Sequence, residues 1–171
     1  MVIPLRKQAA DEQGTDEHLT LRSGATWATG AARAADARRL LRTLLAHSLH
    51  TVRTPVPAPL ARDAELVVSE LVTNALRHAP GPCGLVLRLS EEALTITVWD
   101  TSPSHPTVRD GDRYRVGGHG LRLVHTVSDH VAVTPHGRGK QITAHLRLPR
   151  RPDIGADPDR PVAPVPLFGA A

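Results

Sequence analysis

The sequence lacks what several classes of protein and of binding site require. Cys83 is the only cysteine among 171 residues, so neither an internal disulfide nor a thiolate metal cluster can form. Aromatic residues make up 2% of the chain, and surfaces that stack on nucleic-acid bases usually need more. There is no charged-then-apolar leader, and no apolar run approaches the roughly 18 residues of a membrane span. We therefore expect a soluble, cytoplasmic protein with an aliphatic core, which contacts neither a membrane nor nucleic acid directly.

The basic character of the chain is spread over its length. The formal net charge is +4 and the isoelectric point is about 10.2, which predicts weak attraction to acidic partners. The arginines form no run of five or more, so charge alone is a weak argument for DNA binding. The Arg-rich segment Ala31–His50 leaves a DNA-binding regulator open as a minor alternative.

Proline, glycine and polar clusters divide the chain into segments. Residues 1–17 are polar and mixed in charge and are expected to be disordered, residues 18–149 to form the domain, and the Pro-rich residues 150–171 to form a flexible tail. Within the domain the periodicities predict, in chain order, a strand at His18–Gly24, helices at Ala31–His50 and Ala58–Ala79, a hairpin from Gly84 to Asp100, a long loop at Thr101–Gly120, a helix at Leu121–Asp129 and a hairpin at His130–Pro149. This order predicts an α+β fold, a two-layer sandwich in which a mixed, mainly antiparallel sheet carries helices on one face.

The helix predicted at Ala58–Ala79 carries a candidate site on its polar stripe. Glu70 and Asn74 are four residues apart, so their side chains project from one face, one turn apart. A carboxylate can orient or deprotonate a nucleophile, and an amide oxygen is a hard, neutral ligand suited to Mg²⁺. Taken alone, the pair is better explained by a solvated helix face.

Two further candidates follow along the chain. Asp100 ends an apolar strand in the segment VWDTSP, where it could accept hydrogen bonds from a ligand amine, although turn chemistry explains it as well. The segment VGGHGLRLV has glycines before a helix, where backbone N–H groups and the helix dipole favour an anion. A flexible linker is the alternative for this segment. Each signal is weak alone, but the three occur in one order and in close succession.

Together these segments resemble the motifs of the GHKL-type ATPases, the superfamily that includes histidine-kinase ATP-binding domains, and within it the stand-alone anti-sigma-factor serine kinases. SELVTNALRHA is similar to the N box, E-x-x-x-N-A-x-x-H-A, while VWDTSP and GGHGLRLV look like the first and second glycine boxes. GRGKQITAHL resembles the closing hairpin. The resemblance covers residues from about 18 to 149. It implies the histidine-kinase-like ATPase fold, with ATP bound between the sheet and the long loop.

The resemblance also implies roles for individual residues. Asn74 would hold the Mg²⁺ that bridges the ATP phosphates, and Glu70 would be the catalytic base toward the attacking hydroxyl or would orient it. Asp100 would accept a hydrogen bond from the adenine amino group. The other residues expected at the nucleotide are Arg77, His78, Ser102, Gly118, Gly120 and Leu121.

The motifs depart from the family pattern in two places. The first glycine box usually reads D-x-G-x-G, but here Ser102 stands at its first glycine position. An acidic residue that this branch often has before the second glycine box is absent from the run Arg113–Gly118. The first departure implies weaker nucleotide affinity than in gyrase-like relatives, and the second bears on kinase activity more than on ATP binding.

The resemblance implies an ATP-binding regulator of transcription. The leading hypothesis is a serine/threonine protein kinase of the anti-sigma type, which binds a sigma factor and phosphorylates an anti-anti-sigma partner. The alternative, from another class, is a non-catalytic ATP-binding partner-switch module, in which the nucleotide only shifts partner affinity. Homodimerisation is compatible with the resemblance, because related kinases pair.

Overall fold

The described part of the chain forms one sheet and three helices. The computed structural model describes residues 2–8, 20–51, 55–79, 81–102 and 119–149. In chain order the elements are β1 (Val2–Gln8), β2 (Thr20–Trp27), α1 (Ala34–Thr51), α2 (Ala58–His78), β3 (Cys83–Leu89), β4 (Ala93–Asp100), α3 (His119–Val127), β5 (His130–His136) and β6 (Gly139–Arg147). The order of the strands across the sheet is β1-β2-β3-β4-β6-β5.

The predicted α+β sandwich is confirmed, with the helices layered on one face of the sheet. Between the described strands all five pairings are antiparallel, so the parallel component expected of a mixed sheet is not found there. One reason is the connection through α1 and α2. Two consecutive helices lead the chain back into β3 antiparallel to β2, whereas a single crossover helix usually joins parallel strands.

The core lies between the helices and the inward face of the sheet. Inward and outward residues alternate along β4 and β6, as expected for strands with one covered face. Six apolar residues of α2 between Ala64 and Ala75 are buried, whereas Leu76 is exposed. The largest fully buried side chains are Leu41, Leu44, Leu71, Leu85, Leu87, Leu89, Leu94, Ile96, Leu146, Val67 and Val68. The predicted aliphatic core is thereby confirmed.

The disorder expected for residues 1–17 is wrong for residues 2–8, which form β1. This strand pairs with β2 in an antiparallel register, from Val2 opposite Ala25 to Gln8 opposite Thr20. The physical reason lies in β2, which would otherwise expose a row of unpaired backbone N–H and C=O groups at the sheet edge. That backbone pairing does not require the apolar alternation that the segment lacks.

Local turn and helix-end chemistry accounts for most of the other boundaries. The helix predicted at Ala58–Ala79 is α2, and Ala79 leaves the helix with extended backbone angles of φ −137° and ψ 92°. Pro80 follows in the sequence, and the residue before a proline is disfavoured in the helical region. At the predicted β5–β6 turn, Gly137 has a φ of 58°, a conformation that favours glycine. Both predicted hairpins are confirmed.

Two predicted segments lie largely outside the described residues. They are the long loop, of which residues 103–118 are not described, and the Pro-rich tail at 150–171. None of the helices in the described ranges combines the length and the apolar character that a membrane crossing requires.

Candidate functional site

The candidate site is built around α2, which contacts both β4 and α3. The buried stripe of α2, including Val67, Leu71 and Ala75, holds the helix against the core. Glu70 and Asn74 lie beside this stripe and are half-buried, one helical turn apart. Both residues of the predicted pair thus lie on the helix, and neither is fully exposed to solvent.

Glu70 lies against the start of α3. Gly120 is the second residue of that helix. A Cβ atom on Gly120 would collide with Glu70 Oε2 and would lie 3.1 Å from Glu70 Cδ. Only glycine therefore lets the start of α3 approach the carboxylate so closely. The structure thus brings together the acid of the first candidate segment and a glycine of the third.

Asp100 is the last residue of β4, and its side chain is buried. It forms an ion pair that the sequence analysis did not predict. Its Oδ1 accepts hydrogen bonds from Lys140 Nζ at 3.0 Å and from the Ser102 backbone N–H at 2.8 Å. The side chains of Asp100 and Lys140 are each only 3% exposed. Lys140 Nζ also donates to the Ser102 carbonyl oxygen at 3.3 Å. The carboxylate is therefore fixed by a buried cation and by the first residues of the following loop.

A signal for Lys140 was present in the sequence. The inward positions of β6 alternate as Lys140, Ile142, Ala144 and Leu146, all of them buried. A lysine that occupies one of the inward positions of a strand carries a buried charge, and a buried charge needs a partner of opposite sign. The antiparallel register then puts Lys140 directly opposite Asp100.

A glycine also brings the β6 backbone close to the end of β4. A Cβ atom on Gly139 would collide with the Asp100 carbonyl oxygen and would lie 2.7 Å from Thr101 Cα. Both obstacles are backbone atoms, so a larger residue here has no side chain to push aside. The close approach keeps the start of β6, and with it Lys140, against the strand end that carries Asp100.

The other residues predicted at the site differ in their position and burial. Arg77 and His78 are exposed in the last turn of α2. Leu121 is partly buried and packs against the hydrophobic core. Gly118 lies outside the described residues.

The electrostatics near Asp100 bear on the lone cysteine. Burial raises the pKa of the Cys83 thiol, and the negative charge of Asp100 raises it further. Cys83 as a whole is 3% exposed. A protonated, buried thiol is a poor nucleophile, so Cys83 is a packing residue beside the site.

The donor set limits which metals the described part of the chain could hold. Across the described ranges, no group of three or more His, Cys, Asp or Glu side chains could hold a metal ion. Mg²⁺ is commonly bound through one or two protein oxygens, with the remaining positions taken by phosphates and water. An amide and a carboxylate one turn apart fit that pattern.

Comparisons with known proteins identify the fold. A family model described as "Histidine kinase-like ATPase domain" matches residues 30–146. No curated protein matches the sequence. Among solved structures, the chain is similar to the RsbU and RsbW domains of Rv1364c from Mycobacterium tuberculosis, with a TM-score of 0.50 and 18% identity. That match covers 75% of this chain and 34% of the other, so this chain spans about a third of the length of that structure.

The family match includes every element from α1 to β6 apart from the last residue of β6. It also contains the site described above, from Glu70 on α2 to Lys140 on β6. Over two thirds of the sequence lies within the match, and the structural likeness independently supports the same fold. The chain belongs to the family of histidine kinase-like ATPase domains.

Proposed function

We propose that the protein binds ATP with Mg²⁺ and acts as an anti-sigma-type regulator that phosphorylates a serine of an anti-anti-sigma partner. The observation that carries the proposal is the contact between Glu70 on α2 and Gly120 at the start of α3. This contact joins the acid of the N-box segment to the second glycine segment. In a family of ATPase domains, it puts a carboxylate beside a helix N-terminus, where phosphate is favoured.

The residues present fit the nucleotide and its metal. Asn74 offers an amide oxygen and Glu70 a carboxylate from one half-buried helix face. Asn74 would hold the Mg²⁺ ion, and the ion, when bound, neutralises charge on the phosphates. Asp100 would accept the adenine amino group. Ser102, Gly118, Gly120 and Leu121 would border the nucleotide, with Arg77 and His78 near its phosphates.

Glu70 would provide the chemistry of transfer. It would accept the proton of the partner's serine hydroxyl, or orient that hydroxyl, while the γ-phosphoryl group moves to the hydroxyl oxygen and ADP is released. The anti-sigma role rests on the resemblance of the N-box and glycine-box segments to that branch. The fold shared with the RsbU and RsbW domains of Rv1364c is in keeping with it.

A second candidate is a partner switch that binds ATP without catalysis. It is favoured by the absence, from the run Arg113–Gly118, of the acidic residue that this branch often has before the second glycine box. The contact between Glu70 and Gly120 would couple the nucleotide to the helices. Through that contact, nucleotide bound at the start of α3 would bias the position of α2. The nucleotide would then change partner affinity by stabilising one arrangement of the helices.

Two measurements on the full chain test the proposal. Calorimetry with Mg-ATP should show binding that Asn74→Ala weakens strongly, and unchanged affinity in that variant would break the metal assignment. Transfer of label from γ-labelled ATP to candidate anti-anti-sigma proteins should be lost in Glu70→Gln but kept in Glu91→Gln. Glu91 is an exposed residue of the β3–β4 turn and serves as the matched control. ATP binding without transfer to any partner would favour the switch over the kinase.

A further inference from the structure

The buried Lys140–Asp100 ion pair is unlike the other ion pairs of the described residues. Arg39–Asp36 and Arg42–Glu65 lie at the surface, with arginine side chains 76% and 63% exposed. Lys140 and Asp100 are both 3% exposed. Replacing a buried ion pair with apolar residues is often neutral or stabilising, so fold stability alone gives a weak reason for this pair. Ligand binding gives a stronger reason for a buried ion pair at the candidate site.

The position of Lys140 is tightly determined. It lies directly opposite Asp100 in the β4–β6 register, and the close approach of Gly139 to the Asp100 carbonyl holds that end of β6 in place. The rest of the inward face of β6 is apolar. The lysine is therefore confined to the same end of the sheet as the residue proposed to read the base.

The hydrogen bonds within the pair leave capacity for a ligand. An ammonium group has three donors, and the carboxylate of Asp100 and the carbonyl of Ser102 use two of them. The bonds from Lys140 and from the Ser102 N–H both end on Oδ1 of Asp100, so neither uses Oδ2. These hydrogen bonds thus use neither the third ammonium donor nor the second carboxylate oxygen.

We propose that Lys140 is a second base-reading residue, which donates a hydrogen bond to N1 of adenine while Asp100 accepts one from the 6-amino group. The Watson–Crick edge of adenine carries these two groups side by side, one acceptor and one donor. The inference rests on the proposed binding of ATP and goes beyond it by naming the residue that recognises N1. Lys140 also positions Asp100, and the experiment separates the two roles.

The test measures binding of ATP analogues to the full chain by calorimetry with Mg²⁺ present. The wild type should bind 1-deaza-ATP, which lacks N1, about ten- to a hundredfold more weakly than ATP, the range for a hydrogen bond to a charged group. It should bind 7-deaza-ATP, which keeps N1, nearly as well as ATP. Equal affinity of the wild type for ATP and 1-deaza-ATP would overturn the proposal without any variant.

Variants then assign the effect to the lysine. Lys140→Met should weaken ATP binding and should bind ATP and 1-deaza-ATP alike, whereas Lys140→Gln, which keeps an N–H donor and a partner for Asp100, should retain part of the discrimination. Lys7→Met is the matched control. Lys7 is the only other lysine, and it lies on β1, which is separated from β6 by three intervening strands of the sheet.

The outcomes distinguish this inference from the proposed function. If the wild type binds no ATP, both fail. If it binds ATP but Lys140→Met still discriminates against 1-deaza-ATP, the lysine only positions Asp100 and this inference alone fails. Tighter ATP binding by Lys140→Met would also overturn it, because the lysine would then compete with the base for the carboxylate.

Discussion

The contact between Glu70 and Gly120 predicts a measurable coupling between two substitutions. Replacing Gly120 with alanine adds a methyl group where Glu70 Oε2 now lies, and Glu70 Cδ would be 3.1 Å from the new carbon, closer than the 3.4 Å at which ordinary contacts begin. The carboxylate is the far end of a flexible side chain, so it can move aside. We therefore expect Gly120→Ala to displace Glu70 rather than to unfold the protein.

The expected effect of Gly120→Ala on the free energy of unfolding follows from two opposing contributions. Alanine is favoured over glycine by about 1 kcal/mol in a helix interior, and somewhat less in the first turn. Forcing Glu70 away from its preferred rotamer costs about 0.5–1.5 kcal/mol. In the wild-type background the two terms nearly cancel. In a Glu70→Ala background only the helix term remains, so Gly120→Ala should stabilise the protein by up to about 1 kcal/mol.

Urea unfolding of the four proteins in this cycle measures the coupling. The fluorescence of Trp27 and Trp99, both half-buried, reports the transition, and unchanged slopes would justify comparing free energies. We expect a coupling energy of about 0.5–1.5 kcal/mol, above the error of about 0.3–0.5 kcal/mol for independent sites. Equal effects of Gly120→Ala in the two backgrounds would refute the inferred contact. Label transfer should also fall about a hundredfold in Gly120→Ala, since a displacement of about 1 Å can cost that much.

Three further predictions use other parts of the structure. Gly139→Ala should destabilise the protein by about 1–3 kcal/mol in urea unfolding, because the new methyl group meets the Asp100 backbone; a wild-type midpoint would contradict this close approach. Cys83, buried and with a raised pKa, should react with a thiol reagent at pH 8 only when urea unfolds the chain, and rapid labelling of the native protein would contradict its burial. Hydrogen bonds from Arg42 lower the pKa of Glu65 below its ordinary value of 4.5, so the stabilisation is present above that value and is lost as pH falls through the folded pKa. Arg42→Met should remove this small part of the acid dependence, and identical pH profiles of stability for wild type and variant would show that the ion pair contributes nothing.

The elements that the sequence predicts well are those with strong local signals. α2 begins at Ala58, as predicted, and its end is one residue from the predicted one. Proline stands on both sides of this helix, and a continuous apolar stripe runs between. The β3–β4 hairpin is closed by Ser90, whose N–H donates to the Ala93 carbonyl and whose Oγ accepts from the Ala93 N–H. These features are encoded within a few residues of where they act.

The sequence does not predict β1, because this strand forms by pairing with β2 and not from a pattern within its own residues. The segment Val2–Gln8 contains a proline and two basic residues, a composition that does not predict a strand. Its partner β2 is separated from it by residues 9–19, which are not described. What selects the segment is the open edge of β2, and an edge exists only after the rest of the sheet has formed.

Lys140 shows how far sequence reasoning about the site could reach. The alternation of β6 was readable and puts the lysine among buried residues, but no local pattern names Asp100, 40 residues earlier, as its partner. That pairing depends on the strand order β4-β6-β5, in which the last strand enters between two earlier ones. The same insertion brings Gly139 against the end of β4. The family motif thus locates the carboxylate, while the topology determines the cation beside it. Family resemblance alone therefore predicts only the carboxylate of Asp100, and the long-range register brings the lysine to it.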